Sequence, residues 1–198
     1  MPGKKLLDIG SGSGQFLYEM KTLGMEVHGI EPGSFDAKVA KKENLDIIKS
    51  NLDKTRYKSN CFDLITINHV LEHVNNPVET LKEAYRILKK DGLLIIGVPN
   101  NKSLAYWIFK KNWYQLDAPR HLFDYSERNL TKKLKELGFR IKKIRHNSRP
   151  SQFLVSFSYL LGKRIKILNM LLFPLALLMT YIVNIFKIGD QIEIYCTK

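Results

Sequence analysis

Two hydrophobic periods run through this chain, and the switches between them mark its elements. Lys4 to Ile9 is an apolar run of strand length that leads directly into Gly10-Ser11-Gly12-Ser13-Gly14. After it, Phe16, Leu17, Met20 and Leu23 recur at helical spacing until Gly24 stops the pattern. Met25 to Ile30 predicts a second strand, Asp36 to Glu43 a short helix and Leu45 to Ile48 a third strand. Phe62 to Asn68 is β-branched and apolar enough for a strand buried on both faces. Beyond it Asn76 suits an N-cap, Pro77 the first helical position, and Glu79 could reach back to the cap. Val78, Leu81, Tyr85 and Leu88 then make one apolar stripe. Asp91-Gly92 reads as a turn into a strand over Leu93 to Val98. Ser126 opens a helix carrying Leu130, Leu134 and Leu137 and closed by Gly138. Phe139 to Arg145 and Gln191 to Thr197 alternate as strands do.

Strands separated by helices imply a parallel sheet, because a parallel crossover needs a connection of helix length. The expected fold is α/β, a doubly wound, mostly parallel sheet in a single domain over residues 1–198. Residues 100–125 are expected to form a substrate-side loop or lid, and 150–189 an apolar helical insertion before the last strand.

That insertion breaks the amphipathic rule. Ile167 to Phe186 has no charged residue, follows Lys163, Arg164 and Lys166, precedes Lys187, and approaches the length of a membrane span. Pro174 should kink it, and Asn169 and Asn184 are unwelcome in lipid. Three readings stay open: a helix or hairpin dipping into a membrane, a true span, and a buried or dimer-forming helix pair.

Charge bears on the same question. Thirty-two Lys and Arg against nineteen Asp and Glu give +13, which suits an anionic partner such as nucleic acid, a phosphorylated substrate or an anionic membrane surface. The hydrophobic share of 44% excludes a disordered chain. Cys61 and Cys196 are too far apart in sequence to suggest a zinc site or disulfide framework, so a reducing cytoplasmic setting is the default. Met1 to Gly10 lacks the apolar run of a signal peptide, and export is not expected.

The chemistry is concentrated in the glycine loop. Glycines between a strand and a helix let the backbone approach a ligand and aim unpaired helix N–H groups at it. The dinucleotide fingerprint G-x-G-x-x-G is not met, since Gly14 falls one place early and Gln15 stands where the third glycine belongs. Asp8-Ile9-Gly10-Ser11-Gly12-Ser13-Gly14, with Glu31 about twenty residues beyond the loop, resembles the first two motifs of the class I S-adenosylmethionine-dependent methyltransferases. Phe62-Asp63-Leu64-Ile65 with Asn68-His69-Val70-Leu71-Glu72-His73-Val74 is similar to that family's fourth strand and post-strand motif, and Leu88 to Leu94 to the turn into its fifth strand. The resemblance covers Lys4 to Arg145 and returns at Gln191 to Thr197. It implies seven strands with an antiparallel last one and S-adenosyl-L-methionine as cofactor. By the same resemblance Asp8, Gly10, Gly12 and Gly14 lie at the methionine end, Glu31 at the ribose, Asn51 and Leu52 at the adenine, and Asn68 and His69 beside the sulfonium. Relatives carry a helix before the first strand that covers the cofactor, so here a lid is expected from elsewhere unless the chain is truncated.

Methyl transfer needs mainly a nucleophile held in line, with a base where oxygen or nitrogen accepts. His121, in a segment rich in Trp, Tyr, Arg and His, is the first candidate base, and Asp117 and Tyr114 follow. His69 and His73 lack a third ligand at suggestive spacing, so no metal is expected; His69 is read as a cofactor-pocket residue and His73 as a packing or capping one. The resemblance, which extends to quinone and cell-surface glycan methyltransferases, implies O-methylation of a small-molecule or lipid-linked acceptor, glycan or isoprenoid in type, at the cytoplasmic membrane face. The chain is expected to be peripheral there, held to an anionic membrane surface through 163–187; a homodimer is compatible. Nucleic-acid methylation is favoured only by charge, because the segment Asn68 to Leu71 lacks an N-P-P-Y-type signature. A non-catalytic adaptor retaining the fold is the reading from another class.

Overall fold

The computed structural model describes residues 2–35, 37–162 and 166–198. Its strands are β1 (Lys5–Ile9), β2 (Glu26–Ile30), β3 (Asp46–Ile48), β4 (Phe62–Asn68), β5 (Leu88–Pro99), β6 (Arg140–His146) and β7 (Gln191–Thr197). The helices are α1 (Gln15–Thr22), α2 (Ala37–Lys42), α3 (Pro77–Ile87), α4 (Leu104–Phe109), α5 (Glu127–Glu136), α6 (Pro150–Leu160) and α7 (Lys166–Ile185). One seven-stranded sheet has the order β3-β2-β1-β4-β5-β7-β6, and β7 alone runs antiparallel to both its neighbours. The expected α/β sheet with an antiparallel last strand is therefore what forms. Winding proceeds from β1 to β2 and β3 on one side, then restarts with β4 on the other. The carboxyl ends of β1 and β4 consequently flank a topological switch point, where open α/β sheets leave a crevice.

β4 is buried on both faces, as its composition predicted. Ile65 and Ile67 join Leu81, Leu130 and Leu134 from α3 and α5, while Leu64 packs with Leu6 and Leu17 on the other side. The Ser126 cap is real: its hydroxyl accepts from Asn129 N, and the Asn129 side chain accepts from Ser126 N. Asn76 accepts from Glu79 N at 3.4 Å, but the Glu79 carboxylate takes Lys82 at 2.7 Å instead of returning to the cap, because the ammonium one helical turn on is the stronger donor. The turn expected at Asp91-Gly92 is a bulge within a longer strand. Leu88 pairs with Phe62 and Leu93 with Leu64, so Lys89 to Gly92 loop out with Asp91 at φ +60°. Asp36, expected to begin a helix, lies outside the described residues, as do Lys163 and Arg164.

Residues 100–125 carry more order than a loop. α4 is followed by two 3-10 turns, Lys110–Asn112 and Tyr114–Leu116, and the buried Trp113 indole donates to Asp190 Oδ1 at 3.1 Å. In the insertion, α6 and α7 form an antiparallel pair: Asn169 meets Ser158 at 3.4 Å near one end, and Asn184 Oδ1 accepts from Ser148 N at 2.7 Å near the other. Pro174 lies inside α7, which continues through it.

Candidate active site at the carboxyl edge of the sheet

The glycine loop crosses the switch point, and its glycines do different work. Gly10 sits at φ +80°, and a side chain there would run into Val70, so close packing against the post-β4 segment fixes it as glycine. Gly12, at φ +52°, has open space where its side chain would be. The first is a packing glycine; the second faces the crevice, where a ligand can reach the backbone. Ser11 Oγ is buried beside the loop without a hydrogen-bond partner.

Two carboxylates address this loop. Glu31, at the end of β2, accepts from Gly12 N at 2.9 Å with one oxygen and from Gly33 N at 2.8 Å with the other. Each oxygen keeps a second lone pair that a ribose hydroxyl could use. Asp8 is buried and accepts from Thr66 Oγ1 at 2.6 Å. Burial pushes its pKa up to about 6; the Thr66 bond opposes the rise and the Glu31 charge adds to it. Asn51 is exposed beyond β3 with no cap bond from its side chain, while Leu52 turns into the main core and has only backbone left to offer an adenine. The open space over Gly12 and the Glu31 carboxylate fit a polar nucleoside ligand.

Beyond Asn68 the chain does not enter a helix. His69 adopts φ +55° and the chain turns through Leu71 to His73, with His73 N bonded to Val70 O at 2.9 Å. This turn brings His69 to the wall of a cleft of about 950 Å³ that also collects His73, Tyr114, His121, Arg149 and Gln191. Asn68 lines it as well; because Ile9 pairs with Ile67 and Gly10 packs on Val70, the glycine loop runs alongside this segment.

Geometry ranks the candidate bases. His121 Nδ1 lies 2.8 Å from Gln115 O, a pairing that requires a proton on Nδ1 and leaves the Nε2 lone pair free in the neutral ring. Asp117 is paired with Arg120 at 2.6 Å and lies 3.9 Å from His121 Nε2, and Tyr114 is exposed on the rim. His69 Nδ1 lies 3.2 Å from Glu72 Oε1, and that contact raises the His69 pKa against the opposing effect of burial. His73 is more than a packing residue. Its Nδ1 faces Arg120 O at 2.9 Å, its ring meets His121 edge-on at 4.6 Å, and it lines the cleft.

Glu72, fully buried with Oε2 unpartnered, was quoted in the post-strand motif without a role. Glu72, His73 and His121 each turn a potential ligand atom toward one point, all within 4.8 Å of one another, a grouping that excludes His69 and that sequence spacing does not reveal. Arg149 and Gln152 also line the cleft; they come from the start of the insertion, and no local pattern marks them.

A methyltransferase-domain family model matches residues 2–144. The chain is 36% identical over 117 residues to the ubiquinone biosynthesis O-methyltransferase of Glaesserella parasuis, covering 54% of this chain and 50% of that protein. It is 29% identical over 140 residues to an uncharacterized protein of Methanocaldococcus jannaschii, covering 71% and 66%. The chain thus spans from half to about two thirds of the length of these relatives. A crystal structure of a SAM-dependent methyltransferase from Archaeoglobus fulgidus superimposes with a TM-score of 0.70 at 22% identity, over 99% of this chain and 86% of that one.

Proposed function

As the chain belongs to the methyltransferase-domain family, we propose that it transfers the methyl group of S-adenosylmethionine to a hydroxyl oxygen of a small-molecule or lipid-linked acceptor, glycan or isoprenoid in type, at the cytoplasmic face of a membrane. The observation that carries this reading is the position of Asn68 and His69, which end and follow the strand paired with β1 and line a cleft containing the His121 imidazole, its Nδ1 taken by Gln115 O. Names of relatives that specify O-methylation support oxygen as the acceptor atom.

When bound, S-adenosylmethionine supplies a methyl group on a sulfonium that leaves as a neutral thioether. Glu31 and the backbone at Gly12 hold the nucleoside, and Asp8 places an anion beside the cationic methionine end. The acceptor hydroxyl enters from the cleft, and His121 Nε2 takes its proton as the oxygen attacks. Lys111, Arg120 and Arg149 in the same walls favour an acceptor with an anionic group near that hydroxyl. Positioning supplies most of the rate.

His121→Ala should lower kcat by roughly 10²- to 10⁴-fold, the range for a removed general base, with S-adenosylmethionine affinity within about twofold on calorimetric titration; full turnover would dismiss His121 as the base. Radiolabelled methyl transfer to extracted lipid compared with RNA decides the acceptor class. The cluster of Glu72, His73 and His121 favours a second reading, in which these residues hold a divalent cation that acidifies the acceptor hydroxyl. Loss of turnover with a chelator and its return with added metal select that reading; indifference to chelation selects the base.

A further inference from the structure

α7 is built the wrong way round for water. Its inward side holds the buried Ala176 and Val183, and the amides Asn169 and Asn184 bond to Ser158 and Ser148. Its outward side carries Ile167, Met170, Leu171, Leu178, Tyr181 and Ile185 at three- and four-residue spacing, all exposed, Met170 at 75%. Within the apolar stretch Ile167–Ile185, Ala176 and Val183 are the two buried residues. On the inner flank of α7, Met179 and Val183 share a small cleft with Ile108 of α4, and the adjacent residue, Trp107, is 72% exposed. A contiguous apolar surface of this kind implies an occupant.

Charge identifies it. Between Asn100 and Leu116, and again between Pro150 and Gly189, there is no Asp or Glu, so all charges in the segments that build α4, α6 and α7 are cationic. Lys110 and Lys187 are exposed where α4 and α7 end. A second copy of the chain on this face would set cations against cations. An anionic bilayer satisfies both the apolar face and its basic edge, with Trp107 and Tyr181 at the depth aromatic side chains prefer.

We propose that the outward face of α7, together with Trp107 and Ile108 of α4, is a monotopic docking surface for an anionic phospholipid bilayer, with the helix lying in the interface rather than crossing it. A crossing would pull Asn169 and Asn184 from their partners on α6 and its N-terminal approach. It would also strain the few residues that return the chain to β7, where Asn100 Nδ2 holds Gly189 O at 2.9 Å. Docking also places the cleft. Tyr159 of α6 lines it, faces Tyr114 across 6.4 Å, and is followed by the exposed Leu160 and Leu161. The cleft mouth therefore borders the apolar patch, and the acceptor is an amphiphile whose head enters while its tail stays in the bilayer. This last step rests on the methyl-transfer reading; the docking does not.

Flotation of the full chain with phosphatidylglycerol-containing and pure phosphatidylcholine vesicles, without S-adenosylmethionine, tests the surface. Binding should require the anionic lipid at low salt. Met170→Glu with Leu178→Glu should weaken it at least about tenfold. Lys110→Gln with Lys187→Gln should weaken it roughly thirtyfold at low salt, on anionic vesicles alone. Calorimetric titration with S-adenosylmethionine, without vesicles, should be unchanged in both double variants; it reports the cofactor site separately, so either reading can fail alone. A chain that stays a vesicle-free monomer, a dimer that ignores vesicles, or a Met170→Glu/Leu178→Glu protein that binds as well as the parent overturns the proposal.

Discussion

β4 and α7 are both runs of apolar side chains, yet they meet opposite surroundings. In β4, Ile65 and Ile67 are fully enclosed on the face covered by α3 and α5 and Leu64 is buried on the other, whereas in α7 side chains of the same chemistry stand in the open and the polar ones point inward. Water selected the first arrangement, since burying apolar surface stabilises by about 25 cal/mol per Å². The second gains nothing from water, since its apolar side chains stay exposed. Hydrophobicity along a sequence therefore reports what a segment must be hidden from, and the fold reports whether the protein itself does the hiding.

The largest expected effect lies on the core side of this comparison. Gly10→Ala would add an L side chain at φ +80° against Val70, which should cost about 3 kcal/mol from left-handed strain and overpacking together. The urea unfolding midpoint reads it; a loss under about 1 kcal/mol would show that the loop is not close-packed.

A smaller effect tests whether the crevice is tuned for a cation. Burial pushes the Asp8 carboxyl from its ordinary 3.8 up to about 6, so the native state holds the proton more tightly. Stability accordingly falls as pH rises from about 4 through about 6, and above that the ionised Asp8 carries a cost on the order of 3 kcal/mol. A cationic ligand beside it lowers that pKa. At pH 6, S-adenosylmethionine should therefore release up to about half a proton per site, measured by calorimetry in buffers of different ionisation enthalpy. Proton uptake would place the cationic end elsewhere.

The smallest effect belongs to the exposed helix. Leu178→Lys should change unfolding stability by no more than about 0.5 kcal/mol, as surface substitutions do. A loss of several kcal/mol would mean that α7 is packed in solution after all and that the contrast with β4 is false.

How much could be read in advance follows the range of the forces involved. The strands, their mostly parallel winding and the glycine loop were legible because strand burial, caps and loop glycines are dictated within a few residues, and the antiparallel last strand followed from the family resemblance. Two local readings failed for local reasons: Asp91-Gly92 proved a bulge because Leu88 had already paired with Phe62, and Glu79 preferred Lys82 to its own cap. The acceptor cleft was only partly legible. His121, Asp117 and Tyr114 were recognisable by residue type, but their ranking depended on Gln115 O and Arg120. His73, Glu72 and Arg149 carried no signal of a shared site, because nearly fifty residues separate His73 from His121 and the α6 insertion supplies the guanidinium.

The amino-acid order by itself determined which segments are strands, where the backbone must be glycine, and that one helix is too apolar for water. Only the tertiary structure decided which histidine keeps a free nitrogen, that His121 comes beside Glu72 and His73, and that the apolar face of α7 turns outward. The first set depends on interactions between near neighbours in the chain. The second depends on closing long loops, and no local pattern encodes which distant groups will then meet.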